Sequence, residues 1–300
     1  MAVRDGSPSP AVAGGLPVLD RVPPIGIVVA GISTIQFGAA LAATLFDDLG
    51  ASGTSLLRLG FAGLIMAVLV RPDPRGHSTA DLRLIAAFGL CLGFMNLTFY
   101  EALERLPLGV AVTIEFAGPL GVAVFTSRRR LDLLWAGLAA LGIVLLADPF
   151  GDSLDPLGLA LILAAAGFWA SYILLAQRAG KVFPGAQGVA LAMMIAALVP
   201  IIPGVAQGGA ELLEPQWLAI GAAVALMSSV IPYTLETEAL RRLPANVFGV
   251  LMSLEPALAA LAGFIVLGQA LGGLDLAAMA LVVTASIGVS RTGVPAAPEV

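Results

Sequence analysis

The stretch EALERLPLGVAVTIEFAGP, residues 101–119, returns as EALRRLPANVFGVLMSLEP at residues 238–256. Since 238 − 101 and 256 − 119 both give 137, the two copies align without a gap. Identities fall at Glu101/Glu238, Ala102/Ala239, Leu103/Leu240, Arg105/Arg242, Leu106/Leu243, Pro107/Pro244, Val110/Val247 and Pro119/Pro256. A helix–turn–helix connector of this kind can recur by coincidence. The shared proline, deep in the apolar run that follows each connector, favours duplication of a larger unit.

Each copy joins two long apolar runs, and such runs fill the chain. Of its 300 residues, 59% are hydrophobic and 12% charged, with a mean hydropathy of +0.98. Soluble domains carry about a quarter charged residues, so this is the composition of a chain solvated by lipid. A membrane-crossing helix needs about 20 mainly apolar residues. Runs of that kind lie near 25–46, 54–70, 82–103, 108–126, 132–147, 156–176, 185–206, 216–239, 246–267 and 273–290. The separators, among them FDDLGASG, RPDPRGHSTAD, SRRRLD and DPFGDSLDP, hold most of the charges, prolines and glycines.

With ten spans, Lys and Arg sort sharply by side. Arg4, Arg21, Arg71, Arg75, Arg83, Arg128, Arg129, Arg130, Arg178, Lys181, Arg241, Arg242 and Arg291 fall on one side, Arg105 on the other, and Arg58 within a span. Asp47, Asp48, Asp148, Asp152, Asp155, Glu211, Glu214 and Asp275 lie mostly on the basic-poor side. By the excess of cytoplasmic Lys and Arg, both termini are expected in the cytoplasm, with Arg128–Arg130, Arg241 and Arg242 as topology anchors. The repeated connectors are five spans apart, an odd number, so the second copy enters the membrane inverted. The expected fold is therefore an all-α membrane protein of ten transmembrane helices, arranged as two inverted five-helix repeats over 25–148 and 156–290. Residues 1–24, rich in Pro, Gly and Ala, and 291–300 read as cytoplasmic tails. Inverted repeats are the architecture of many secondary transporters, with the substrate site at midplane between the halves.

Two acids lie at that depth. Glu115 is about seven residues into its span, about 10 Å at 1.5 Å per residue, and Glu255 about nine residues in from the opposite face. A charged group there is costly and faces the bundle interior or a wet cavity. Proline lacks an N–H, so Pro119 strips the Glu115 carbonyl of its helical partner, and Pro256 does the same to Met252. Each repeat then offers a carboxylate and a free carbonyl at one depth, an acceptor-rich chamber that suits an ammonium group. A carboxyl so placed can also carry a proton, as proton-coupled export requires. The competing reading is a structural polar cluster or a salt bridge with Arg58.

Arg58, about four residues from its span's outer end, has two equal explanations: snorkelling to the interface, or pairing with a substrate carboxylate. Gln36, Trp169 and Tyr233 are expected to line the pocket. Asn96 and Ser171 are expected to hydrogen-bond neighbouring helices. GLCLG at 89–93 offers small residues for close packing inside the bundle rather than for dimerisation.

Enzyme readings fail. GASG at 50–53 has the Gly-x-Ser-Gly form of an intramembrane serine protease, but the single histidine, His77, falls on the other side of the membrane. One cysteine, Cys91, and one histidine exclude a disulfide framework and an ordinary Cys/His metal site. No P-loop, GxGxxG or HExxH appears. No catalytic residue, cofactor or metal is expected.

The strings EFAGPLGVAVFTSRRRLD, GFWASYILLAQRAG, IPYTLETEALRRLP and LMSLEPALAALAGFIVLGQAL resemble the EamA branch of the drug/metabolite transporter superfamily, and within it the bacterial threonine/homoserine exporters. The similarity runs from the first span to the tenth. Relatives commonly carry glutamate where this chain has Gln269. The resemblance implies proton-driven export of small amino acids or related metabolites across the inner (plasma) membrane. Other substrates of the same fold, such as quaternary-amine drugs, and a non-transporting membrane subunit remain as alternatives. The expected partners are a small-molecule substrate, protons and the lipid bilayer, with no nucleic acid, in a monomer or homodimer.

Overall fold

The structure, a computed structural model, describes residues 22–126, 130–147, 154–183, 186–243 and 245–292. The expected tails lie mostly outside these ranges, as do Arg128, Arg129, Asp148 and Asp152. Pro24 already opens the first helix and Thr292 closes the last.

Among the described residues every regular element is helical. In chain order come α1 (Pro24–Ala43), α2 (Phe46–Val70), α3 (Thr79–Leu103), α4 (Leu108–Glu115), α5 (Ala117–Thr126) and α6 (Arg130–Ala147). There follow α7 (Pro156–Ala179), α8 (Gln187–Ala196), α9 (Ile201–Gly208), α10 (Pro215–Ala225), α11 (Ile231–Arg242), α12 (Ala245–Met252), α13 (Glu255–Leu267) and α14 (Gly273–Thr292). Local chemistry sets the ends. Ser78 and Asp81 form a reciprocal capping box at the start of α3. Asp155 accepts from the N–H groups of Leu157 and Gly158 to start α7, and those bonds, with Arg105 at 3.4 Å, hold its carboxyl below the usual aspartate range.

Five apolar helical stretches are long enough to cross a membrane: α1, α2, α3, α7 and Val247–Leu267 through α12 and α13. The pair α8–α9, bent by 48°, makes a sixth, and shorter apolar helices cover Leu108–Val122, Leu133–Leu146, Pro215–Val230 and Gly273–Gly288. Every apolar run read from the sequence is thus helical, but several are interrupted. Prolines account for most interruptions, because each removes a bond and crowds the carbonyl four residues back. The α4–α5 break falls at Phe116, three residues before Pro119, and the α12–α13 break at Ser253–Leu254, just before Pro256. The break in the seventh run was not expected; it lies at Pro200, with Pro203 following. The bounds of α4 and α12 differ by 137 at both ends, the offset of the repeated sequence.

One boundary differs from expectation. FDDLGASG, read as a separator, is the opening of α2. Asp47 and Asp48 sit in its first turn, where unpaired N–H groups favour acids. Gly50, at φ 69°, bends the helix there without ending it, and Gln207 Oε1 accepts from the Ser52 N–H at 2.8 Å across the bend. Arg58 is therefore the thirteenth of 25 helical residues.

The helices pack as a bundle with two distinct ends. At one end Ser52 donates to Glu101, Gln207 reaches Glu101 at 3.4 Å, and Gln269 Oε1 accepts from the Leu108 N–H at 3.0 Å. At the other, His77 stacks on Phe183 with ring centroids 4.2 Å apart, and Val22 packs with Leu235 and Leu243. The main contacts join α6 to α14, α2 to α8 and α9, α4 to α13, α3 to α7, and α1 to α11 and α13. α3 approaches α8 closely through Gly89 and Gly93, where an added Cβ would lie 2.7 Å from the Ala192 oxygen and 2.8 Å from the Ala196 oxygen. The GLCLG face packs inside the bundle.

Candidate functional site

Where the broken helices cross the middle of the bundle they leave a cavity of about 290 Å³. Gln36 of α1, Arg58 of α2, Glu115 at the end of α4, Trp169 of α7 and Glu255 at the start of α13 all line it. The two acids enter because each occupies a helix end created by the break beside it. Glu115 is 8% exposed and Glu255 6%, and among the described residues neither makes a hydrogen bond or ion pair within the protein. Pro119 lines a second hollow of about 220 Å³, which shares Trp169, Met252 and Glu255 with the first and extends to Ser290, near the end marked by His77 and Phe183. Pro256 is buried in the first turn of α13.

Arg58 does not snorkel. It is half-buried at midhelix, donates to Asn96 Oδ1 and, at 3.4 Å, to the Ser228 carbonyl, and stands 5.3 Å from the centre of the Tyr100 ring. No carboxylate of a described residue lies within ion-pair reach of it, so the expected alternative of a salt bridge to Glu115 is absent. Its Nε has no partner. Arg58 is thus held beside the cavity by neutral acceptors and an aromatic face.

Asn96 joins α3 to α2 through Arg58, as a helix-bridging amide should, and lines the cavity as well. Ser171 is exposed and bonds its own helix at the Gly167 carbonyl. Trp169 stands edge-on to Phe116, centroids 5.4 Å apart. The Tyr233 side chain lies outside the described residues. Ser52 spends its hydroxyl on Glu101.

The cavity is therefore bipolar: its lining holds a guanidinium and unpartnered carboxyls together with aromatic and apolar surface. Comparison with known proteins bears directly on what uses such a cavity. The family model described as the EamA-like transporter family matches residues 156–291. The threonine/homoserine exporters RhtA of Salmonella typhimurium (strain LT2) and Escherichia coli (strain K12) are each 42% identical to this chain over 272 residues, covering 90% of it and 92% of the relative. The chain belongs to the EamA-like transporter family. It is a multi-pass membrane protein. A solved crystal structure of a protein 18% identical to this EamA-like transporter superimposes with a TM-score of 0.60, covering 89% of this chain and 97% of its own. That likeness concerns the fold alone.

Besides Asn96, sequence reasoning missed three polar cavity residues of this EamA-like chain, Glu236, Ser228 and Ser229. Glu236 lines the wall one turn beyond Pro232, yet it sits in ETEALRR, where a charge reads as interfacial. Its spacing from Ser229 and Pro232, seven and four residues, is that of a single helix face and could have revealed it. Ser228 and Ser229 stood out less, because serines in an apolar run read as ordinary helix-bonding hydroxyls and nothing in LMSSV announces the π-turn that carries them.

Proposed function

We propose that this EamA-like chain is a secondary active exporter of small zwitterionic amino acids of the threonine and homoserine kind across the inner membrane. The observation that carries the reading is the bipolar cavity: Arg58, Glu115 and Glu255 line one chamber, all three without an ionic partner among the described residues. Arg58 would take the substrate carboxylate, Glu115 and Glu255 its ammonium group or a proton, and Gln36 and Trp169 the remaining surface. The names of the relatives supply the substrate class. A cavity of about 290 Å³ falls at the low end of ligand sites, which run from about 300 to 1,000 Å³. That suits a small metabolite better than a bulky quaternary amine.

The mechanism is alternating access by two inverted five-helix halves, 25–148 and 156–290, rocking about the cavity. Support comes from the repeated sequence, the matched bounds of α4 and α12, and the packing. A twofold exchanging the halves pairs α6 with α14, α2 with α8 and α9, and α4 with α13, and it turns the α3–α7 contact into the α11–α1 contact. The distribution of charge fits a cytoplasmic location for both termini. Arg71, Arg75, Arg83, Arg178, Lys181, Arg242 and Arg291 lie toward the His77–Phe183 end, and Arg105 lies at the other.

Purified protein in liposomes should catalyse counterflow of labelled threonine and homoserine and respond to an imposed pH gradient. Glu115→Gln and Glu255→Gln should each abolish this while leaving the protein in the membrane. No counterflow of any solute, or full activity in both variants, would overturn the assignment.

A further inference from the structure

Between α10 and α11 the backbone runs as a π-turn, Leu226–Val230. A π-turn widens the helix by one residue and recurs at functional sites. In a regular helix two consecutive residues point about 100° apart; here Ser228 and Ser229 both face the cavity, 9% and 7% exposed. Neither hydroxyl has a partner among the described residues. That is unusual for this protein. Thr54, Thr113 and Thr284 bond the carbonyl four residues back in their own helix, which is how a Ser or Thr satisfies itself in a helix.

Across from the turn, Gln36 is 3% exposed and its Oε1 is also without a partner. Of the seven buried polar side-chain atoms left unpaired among the described residues, four belong to Gln36, Arg58, Ser228 and Ser229 on this one cavity. Buried polar groups are nearly always bonded, so a cluster of exceptions asks for a ligand that completes it. The place is specific. Arg58 donates to the Ser228 carbonyl, so the turn adjoins the guanidinium assigned above to the substrate carboxylate. Gly38 lets α1 pass close enough to face it: a Cβ there would lie 3.0 Å from the Met227 Cβ.

We infer that Ser228, Ser229 and Gln36 form the subsite that reads the side-chain hydroxyl of the transported amino acid. The inference rests on the proposed amino-acid export. A hydroxyl a carbon or two from Cα both donates and accepts, as an amide oxygen and two serine hydroxyls require. Valine, which matches threonine in shape with a methyl in place of the hydroxyl, leaves the three groups unpaired. Sites built to bond a hydroxyl reject such analogues far more strongly than apolar pockets reject an added methylene.

The test is transport of labelled threonine and valine by the full chain in liposomes, each as efficiency relative to the other. Wild type should favour threonine by at least roughly 30-fold. In Ser228→Ala/Ser229→Ala, and separately in Gln36→Met, that ratio should fall by roughly tenfold or more. An unchanged ratio in both variants, or a wild type that moves the two amino acids equally, overturns the subsite while leaving amino-acid export standing. A wild type that moves neither overturns both. Should a variant be lost from the membrane, inhibition of wild-type threonine transport by valine decides alone: weak inhibition supports the subsite, and inhibition equal to that by unlabelled threonine overturns it.

Discussion

Replacing Arg58 by Gln probes the half of the cavity that the acids do not. Gln keeps a donor for Asn96 Oδ1 and removes the charge and the fork. Truncating one partner of a buried, hydrogen-bonded charge pair costs about 2–5 kcal/mol. Arg58 is only half-buried, so the lower part of that range applies, about 2–4 kcal/mol. At about 1.4 kcal/mol per decade this weakens threonine binding roughly 30- to 700-fold. Arg58→Lys, which keeps the charge without the planar fork, should lose about tenfold. Calorimetry in detergent with threonine and with its methyl ester separates a carboxylate partner from a structural one. Wild type should prefer the acid strongly, and Arg58→Gln should bind acid and ester alike. An Arg58→Gln protein that weakens both equally, or neither, would refute the pairing.

Other consequences are open to test. Gly93→Leu drives a side chain toward the Ala196 oxygen and should cost about 1–3 kcal/mol by overpacking, read as a lower melting temperature in detergent, with Gly89→Leu behaving alike. Gly50→Ala places a side chain beside Gln207 at φ 69° and ψ 165°, a backbone that only glycine adopts readily, and should cost about 1–3 kcal/mol in the same assay. In a Cys91→Ala background, a membrane-impermeant maleimide applied to whole cells should label Glu104→Cys and not Arg75→Cys. The reverse pattern would invert the topology.

Much of the architecture was legible because lipid imposes a coarse rule on sequence. Apolar runs mark helices long enough for lipid without any knowledge of packing. Glu115 and Glu255 stood out for the same reason, since acids are conspicuous among Leu and Ala. The depth of Arg58 was misread because Asp, Gly and Ser in FDDLGASG look like a loop, whereas acids also belong in a helix's first turn and Gly50 kinks α2 within one longer helical run. The bend at Pro200 was visible as a residue but not as a consequence, since proline within a span can kink, break or be absorbed. Ser228 and Ser229 were illegible: serines in LMSSV read as ordinary helix-bonding hydroxyls, and nothing there announces the π-turn on which both line the cavity.

The unpaired groups around the chamber have a thermodynamic corollary. Any cargo that pairs them stabilises the native state by mass action, in proportion to the logarithm of its concentration over its Kd. Ranking a metabolite library by the rise in unfolding temperature would therefore identify the cargo without transport being measured, and the largest rise should belong to the molecule that satisfies both the cation and the hydroxyls.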